Sequence, residues 1–124
     1  MYATVVLPTL NRSSTLPYAI QSVLAQSERS LELLIVLDGA TSSCRQIAVE
    51  AARSDSRVRV VDLPKAPASG ERNVDYAVRN AAGKRVFYID DDDLFLLHHV
   101  AALGALLDHA DIVDSRVCSA DRNG

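Results

Sequence analysis

The stretch Leu33-Leu34-Ile35-Val36-Leu37-Asp38-Gly39, LLIVLDG, decides the architecture. Five large apolar residues follow one another without polar alternation, so a strand built from them has protein against both of its faces. Asp38-Gly39 then supplies a turn pair that stops it. Working outward, residues 4–7 (TVVL) form a second apolar, β-branched run, ended by Pro8. Residues 58–61 (VRVV) form another, nearer a sheet edge because it carries an arginine, and residues 85–89 (RVFYI) a further one. Between them lie helical patterns. Leu16, Ala19, Ile20, Val23 and Leu24 share one face, with Thr15 and Pro17 suited to the first turn. Cys44, Ile47, Ala48, Ala51 and Ala52 repeat the spacing behind the caps Thr41, Ser42 and Ser43. Val74, Ala77, Val78, Ala81 and Ala82 repeat it again, with Gly83 as the stop. A fourth helix turns Leu96, Val100, Leu103 and Leu107 inward, and residues 112–117 offer a fifth strand before the turn sequence at 121–124. Strands alternating with amphipathic helices predict an α/β fold: a mostly parallel, Rossmann-like sheet with helices on both faces, in one domain over residues 1–124.

Composition narrows the function. With 48% hydrophobic and 23% charged residues, the chain can bury a core and is not a disordered segment. Its formal net charge of −3, with Lys and Arg scattered, argues against a nucleic-acid partner. The longest nearly apolar stretch, 94–107, contains His98 and His99 and is too short for a transmembrane segment. Cys44 and Cys118 stand far apart and fit neither a zinc site nor a disulfide framework. No leader sequence opens the chain, so a reduced, cytoplasmic protein is expected, with the cytoplasmic face of a membrane as a second setting. His98, His99 and His109 follow no metal-binding spacing and are read as surface or rim residues.

One segment resists a purely structural account. VFYIDDDDLF, residues 86–95, places Asp90, Asp91, Asp92 and Asp93 in a row after a buried strand. Adjacent carboxylates roughly 6 Å apart repel by about 2 to 3 kcal/mol per pair at an effective dielectric near 20. Alternation puts Asp90 and Asp92 on one side and Asp91 on the other, so Asp-x-Asp can aim two oxygen ligands at one cation. All-oxygen ligation suits a hard ion, magnesium, manganese or calcium, rather than zinc. A solvated acidic loop is the alternative, and position in the fold decides between them. In open parallel sheets ligands bind beyond the carboxyl ends of the strands. Pro8, Thr9, Leu10, Asn11 and Arg12 follow the first strand, Asp38 and Gly39 the second, Asp62 the third and the acids the fourth, so all are expected on one rim.

The ordered blocks VVLPTLNR, LPYAIQSVLAQS, LELLIVLDGATS, GERN and GKRVFYIDDDDLF resemble the nucleotide-binding half of family 2 glycosyltransferases, which have the GT-A fold. The resemblance covers nearly the whole chain. It implies a nucleoside-diphosphate sugar donor, a divalent cation (Mn2+ or Mg2+) bridging its phosphates, and transfer to an acceptor, usually with inversion. Asp92 becomes the direct metal ligand, Asp90 a second ligand or a ribose partner, and Asp93 a ligand through water or a support of the turn. Asp91 joins the nucleotide-binding set. Asp38, acceptor-only when ionised, suits the N–H edge of uracil, thymine or guanine and fits cytosine badly, which favours UDP-, TDP- or GDP-linked sugars over CDP-linked ones. Thr9 and Asn11 would bond base or ribose, Arg12 and Arg72 would pair with phosphate or with the acids, and Asn73 belongs to the nucleotide-binding set.

Several residues depart from the family pattern. Leu10 replaces an aromatic residue, Leu37 and Ala40 replace Asp and Ser, Leu97 replaces a proline, and residues 72–83 run about two positions long. The resemblance places the acceptor pocket and the catalytic general base beyond Gly124, so residues 1–124 are expected to be the donor-binding half of a truncated GT-A unit. Two other readings compete with transfer: a non-catalytic nucleotide-binding module, and a haloacid-dehalogenase-type phosphatase with Asp90 as nucleophile and Asp92 as acid.

Overall fold

A computed structural model describes residues 1–119 of the chain, so Asp121 and the turn sequence at 121–124 lie outside the described residues. The elements alternate as β1 (Ala3–Thr9), α1 (Leu16–Leu24), β2 (Leu31–Asp38), α2 (Ser42–Ser54), β3 (Val58–Leu63), α3 (Glu71–Arg79), β4 (Arg85–Tyr88) and α4 (His99–Leu106). The strands form one sheet in the order β3-β2-β1-β4, and every pairing is parallel. All eight residues of β2 are buried. Leu31, Leu33, Ile35 and Leu37 face a core that takes in Leu16, Ile20 and Val23 of α1, Cys44 of α2 and Val100 of α4. Leu34 and Val36 face the other way, into a smaller cluster with Val6 and Ala77 of α3. Helices on both faces thus account for the absence of polar alternation in LLIVL.

The structure departs from the sequence pattern in several places. β2 begins at Leu31, two residues before the apolar run, and α3 ends at Arg79, short of Ala81 and Ala82. β1 does not stop at Pro8; it continues through Thr9. β4 stays in register only as far as Val6 opposite Tyr88, so at Pro8 β1 keeps β2 as its one neighbour and the missing N–H interrupts no ladder. The fifth strand expected at 112–117 does not form: these residues pair with no strand, and Ile112 and Val117 are 87% and 86% exposed. A strand is stabilised by packing on at least one face, and these apolar side chains find none. The last helix begins at His99, so Leu96 lies outside it and is exposed, while Val100 is buried and Leu103 and Leu107 pack partly on the core.

At the end of the sheet remote from the acids, Glu32 is 3% exposed within an apolar strand. Its Oε1 accepts from Thr4 Oγ1 at 2.7 Å and from the Ala82 N–H at 2.6 Å, and its Oε2 from Arg59 at 2.9 Å. Thr4 Oγ1 in turn accepts from the Gly83 N–H at 2.9 Å. The network ties the chain after α3 to β1 and β2. Glu32→Ala leaves those donors without an acceptor and is expected to cost about 3 kcal/mol, measured as a lower urea midpoint at unchanged slope.

Candidate functional site

The carboxyl ends of the strands carry the site. Thr9, the last residue of β1, lies opposite Leu37, one residue before the end of β2, and the Thr41 N–H donates to the Leu10 carbonyl across the loops. β4 delivers the acids to the same rim, where the Ile89 N–H donates to the Val6 carbonyl. A turn follows, closed by the Asp93 N–H on the Asp90 carbonyl at 3.1 Å.

Within that turn the four acids divide. Asp91 is 6% exposed; its Oδ2 accepts from Thr9 Oγ1 at 2.8 Å and its Oδ1 from Arg12 at 3.3 Å. Arg12 also reaches Asp92 Oδ2 at 2.9 Å, so one guanidinium bridges two successive carboxylates. Asp90, Asp92 and Asp93 are exposed and present carboxylate oxygens that all lie within 4.8 Å of one another. Burial, then the charges of Asp92 and Asp90, push the Asp93 carboxyl above its ordinary range, with Arg12 acting against them. The donor set fits a hard divalent ion: carboxylate oxygens alone, convergent, open to solvent and short of positive charge.

Asp38 occupies the neighbouring position and is already engaged. Its Oδ1 accepts from the Ala66 N–H and from Asn73 Nδ2, each at 2.7 Å, and its Oδ2 pairs with Lys65 at 2.8 Å. Asn73 also donates to the Pro64 carbonyl at 2.8 Å, so Asp38 and Asn73 together hold the 64–70 loop against the end of β2. Gly70 is required where this loop enters α3: its φ is +86°, and a Cβ there would stand 2.5 Å from Asp38 Oδ2. Burial raises the Asp38 carboxyl, but the Ala66 N–H, Lys65 and Asn73 outweigh it and hold the group below its ordinary value.

Of the residues singled out in the sequence, Pro8, Thr9, Arg12, Asp38, Asn73 and Asp90–Asp93 therefore meet at one rim, with Leu10, Asn11 and Gly39 on its exposed loops. Arg72 is exposed on the first turn of α3. Asp62 turns instead to Arg45 of α2. A cleft of about 410 Å3 opens beside Asp90, walled by Pro8, Ser69, Glu71, Val74 and Tyr88. A larger cavity, about 680 Å3, lies away from the rim, between β4 and residues 110–115. Sequence reasoning missed Lys65, whose ammonium contacts Asp38 Oδ2 and the Ala66 and Ala68 carbonyls; only its place in a proline-broken loop could have marked it.

The same depressed carboxylates predict an acid response. Glu32 and Asp38 are held below their ordinary values of 4.5 and 3.8, although burial opposes this at both, and Asp55 is held at about 2, chiefly by Arg57. A folded-state pKa below the unfolded one means stability that is present above the unfolded value and lost as pH falls through the folded one. The urea midpoint is therefore expected to hold above about pH 5 and to drop steadily between about pH 4 and 2.

Comparison with known proteins agrees with this architecture. The family model described as Glycosyl transferase family 2 matches residues 4–123. The Escherichia coli protein UDP-Glc:alpha-D-GlcNAc-diphosphoundecaprenol beta-1,3-glucosyltransferase WfgD is 31% identical over 93 residues, covering 74% of this chain and 35% of that protein. Residues 1–349 of TarS from S. aureus, solved in complex with UDP-GlcNAc, superpose with a TM-score of 0.76 at 25% identity, over 88% of this chain and 32% of that one. Glucosyl-3-phosphoglycerate synthase from Mycobacterium tuberculosis, in complex with Mn2+, UDP and glucosyl-3-phosphoglycerate, gives 0.62 at 26% identity over 86% and 39%. The chain spans about 15% of the length of one curated relative, a glycosyltransferase of Rickettsia felis. No helix among the described residues is long and apolar enough to cross a membrane. The match over residues 4–123 and the parallel four-stranded sheet together place the chain in glycosyl transferase family 2, with the Rossmann-like fold of the GT-A enzymes.

Proposed function

We propose that residues 1–124 are the donor-binding half of a metal-dependent, inverting glycosyltransferase that uses a nucleoside-diphosphate sugar. The observation that carries this reading is the convergence of Asp90, Asp92 and Asp93 beside a Thr9–Asp91–Arg12 chain at the ligand-bearing edge of the sheet. Asp92, with Asp90 and Asp93, would hold Mn2+ or Mg2+. When bound, the ion supplies charge neutralisation for the diphosphate and Lewis acidity at the departing oxygen.

This chain's own residues do the rest. Asp91 is withdrawn from the cluster by Thr9 and fixes the turn, while Arg12 bridges Asp91 and Asp92 and would add one positive charge beside the phosphates. Asp38 offers its remaining Oδ2 lone pair to an N–H of the base, which favours uracil, thymine or guanine. TarS and the synthase, seen with uridine nucleotides, support a UDP-linked donor. The general base and acceptor pocket would belong to the part of such an enzyme beyond this chain, and the reading places the protein in the cytoplasm, with the cytoplasmic face of a membrane as a second setting. Family membership removes the phosphatase alternative.

Calorimetric titration with UDP, TDP, GDP and CDP, each with and without Mn2+, tests the proposal. UDP is expected to bind best, with Mn2+ strengthening binding at least about tenfold, as expected when an ion offsets diphosphate charge beside carboxylates. Equal affinity for all four without metal dependence would instead describe a general nucleotide-binding module.

A further inference from the structure

The segment that follows the acids, residues 93–98, has no regular structure of its own, and burial does not hold it. Leu94, Leu96 and Leu97 are 65%, 82% and 55% exposed; Phe95 alone packs on the core, stacked against His99 at 4.0 Å. Something else must set where the acidic turn ends. The last turn of α1 and the residues just after it supply it. Ser22 Oγ accepts from the Phe95 N–H at 3.1 Å. Gln26, 1% exposed, donates from Nε2 to the Leu96 carbonyl at 2.7 Å and accepts at Oε1 from the Val100 N–H at 3.0 Å. The Ser27 N–H donates to the Leu97 carbonyl at 2.9 Å, and Ser27 Oγ contacts His98 Nδ1 at 2.9 Å. Gln26 is itself anchored by a second Nε2 bond, to the Ser22 carbonyl at 3.0 Å.

The geometry points to Ser22 and Gln26 as positioning residues for the metal site: they clamp the exit of the acidic turn so that Asp92 and Asp93 face the same point as Asp90. The strand side of the turn is fixed by Ile89 on Val6 and by Thr9 on Asp91, so the clamp supplies the second fixed end. A turn held at one end alone would let three like charges swing apart, which is the direction their mutual repulsion drives them. A buried glutamine satisfied at both ends of its amide suits the task, because it joins a carbonyl and an N–H four residues apart with one rigid group. Neither residue touches the ion or the nucleotide in this account; both act through the backbone of 95–100.

This inference rests on the metal-binding reading above, and the test separates the two. Mn2+ affinity is measured by electron paramagnetic resonance in the presence of UDP for the unaltered chain, Gln26→Met, Ser22→Ala and Ser22→Thr, with hydrogen exchange of the β2 amides recorded for each. Gln26→Met and Ser22→Ala are expected to weaken Mn2+ binding by about tenfold to a hundredfold, the range seen when groups that orient metal ligands are removed. Ser22→Thr restores the hydroxyl and is expected to bind like the unaltered chain, and β2 protection is expected to stay constant throughout. Should Gln26→Met not fold, the Ser22 pair decides. Unchanged Mn2+ affinity in Ser22→Ala and in any Gln26→Met that folds, or a loss matched by a loss of β2 protection, overturns the positioning role. No Mn2+ binding by the unaltered chain overturns the metal reading first, and the positioning role with it.

Discussion

Asp92→Ala is expected to remove metal-dependent binding of a nucleoside diphosphate, weakening it by at least about a hundredfold, while leaving the fold intact. Two features make this position the most sensitive of the four acids. Asp92 is the middle member of the convergent set, flanked in sequence by buried Asp91 and by Asp93, and it is the member that shares Arg12. Truncation deletes a candidate ligand and at the same time frees the guanidinium that spaced Asp91 from Asp92. The stability cost is small, since the Asp92 side chain is 44% exposed and its pair with Arg12 is a surface ion pair. Calorimetry with UDP and Mn2+ reads the affinity, and the unfolding free energy from urea denaturation should change by less than about 0.5 kcal/mol. Asp91→Ala should show the contrasting profile: a buried carboxylate is lost, Thr9 is left without its acceptor, and stability falls along with binding.

Gly83→Ala is expected to have the largest effect on stability, about 4 kcal/mol or more, and to prevent accumulation of folded chain at 37 °C. A Cβ at this position would stand 2.2 Å from the Ala3 carbonyl carbon and 2.4 Å from the Thr4 nitrogen. Both are backbone atoms of a central strand, so no side-chain rotation relieves the overlap. Either β1 shifts, which breaks its register with β2 and β4, or the chain before β4 withdraws, which removes the Gly83 N–H from Thr4 and the Ala82 N–H from Glu32. Urea denaturation followed by circular dichroism measures the loss.

Gly83 also shows what kind of information the sequence carries. Its presence after an amphipathic run reads as a helix stop, yet α3 ends at Arg79, and Gly83 is needed for a close approach to another strand. A local signal marked the position; the reason was tertiary. Glu32 carried no such signal: it precedes the apolar run read as a strand, and its partners Thr4, Arg59 and Ala82 come from three other segments. By contrast, the two-sided burial of β2 was legible, because continuous apolar character is itself the record of helices on both faces. The rim was legible for a topological reason: once the sheet is parallel, every strand's carboxyl end lies on one side. Alternation set Asp91 apart from Asp90 and Asp92 without showing which side turns inward; the structure buries Asp91, and Asp93 joins the exposed pair because the chain turns there. What Asp38 touches was not readable, since Ala66, Lys65 and Asn73 arrive through an irregular loop whose path no periodicity encodes. The strand expected at 112–117 failed because β propensity names a candidate and only packing admits it.

Crystals grown with UDP and Mn2+, with diffraction collected at the manganese absorption edge, would locate the cation. An anomalous peak is expected within about 2.0 to 2.4 Å of an Asp92 carboxylate oxygen and of diphosphate oxygens, in reach of Asp90 and Asp93, with the base toward Asp38. A UDP molecule lodged away from the rim, or an anomalous peak that touches none of Asp90, Asp92 and Asp93, would contradict that placement.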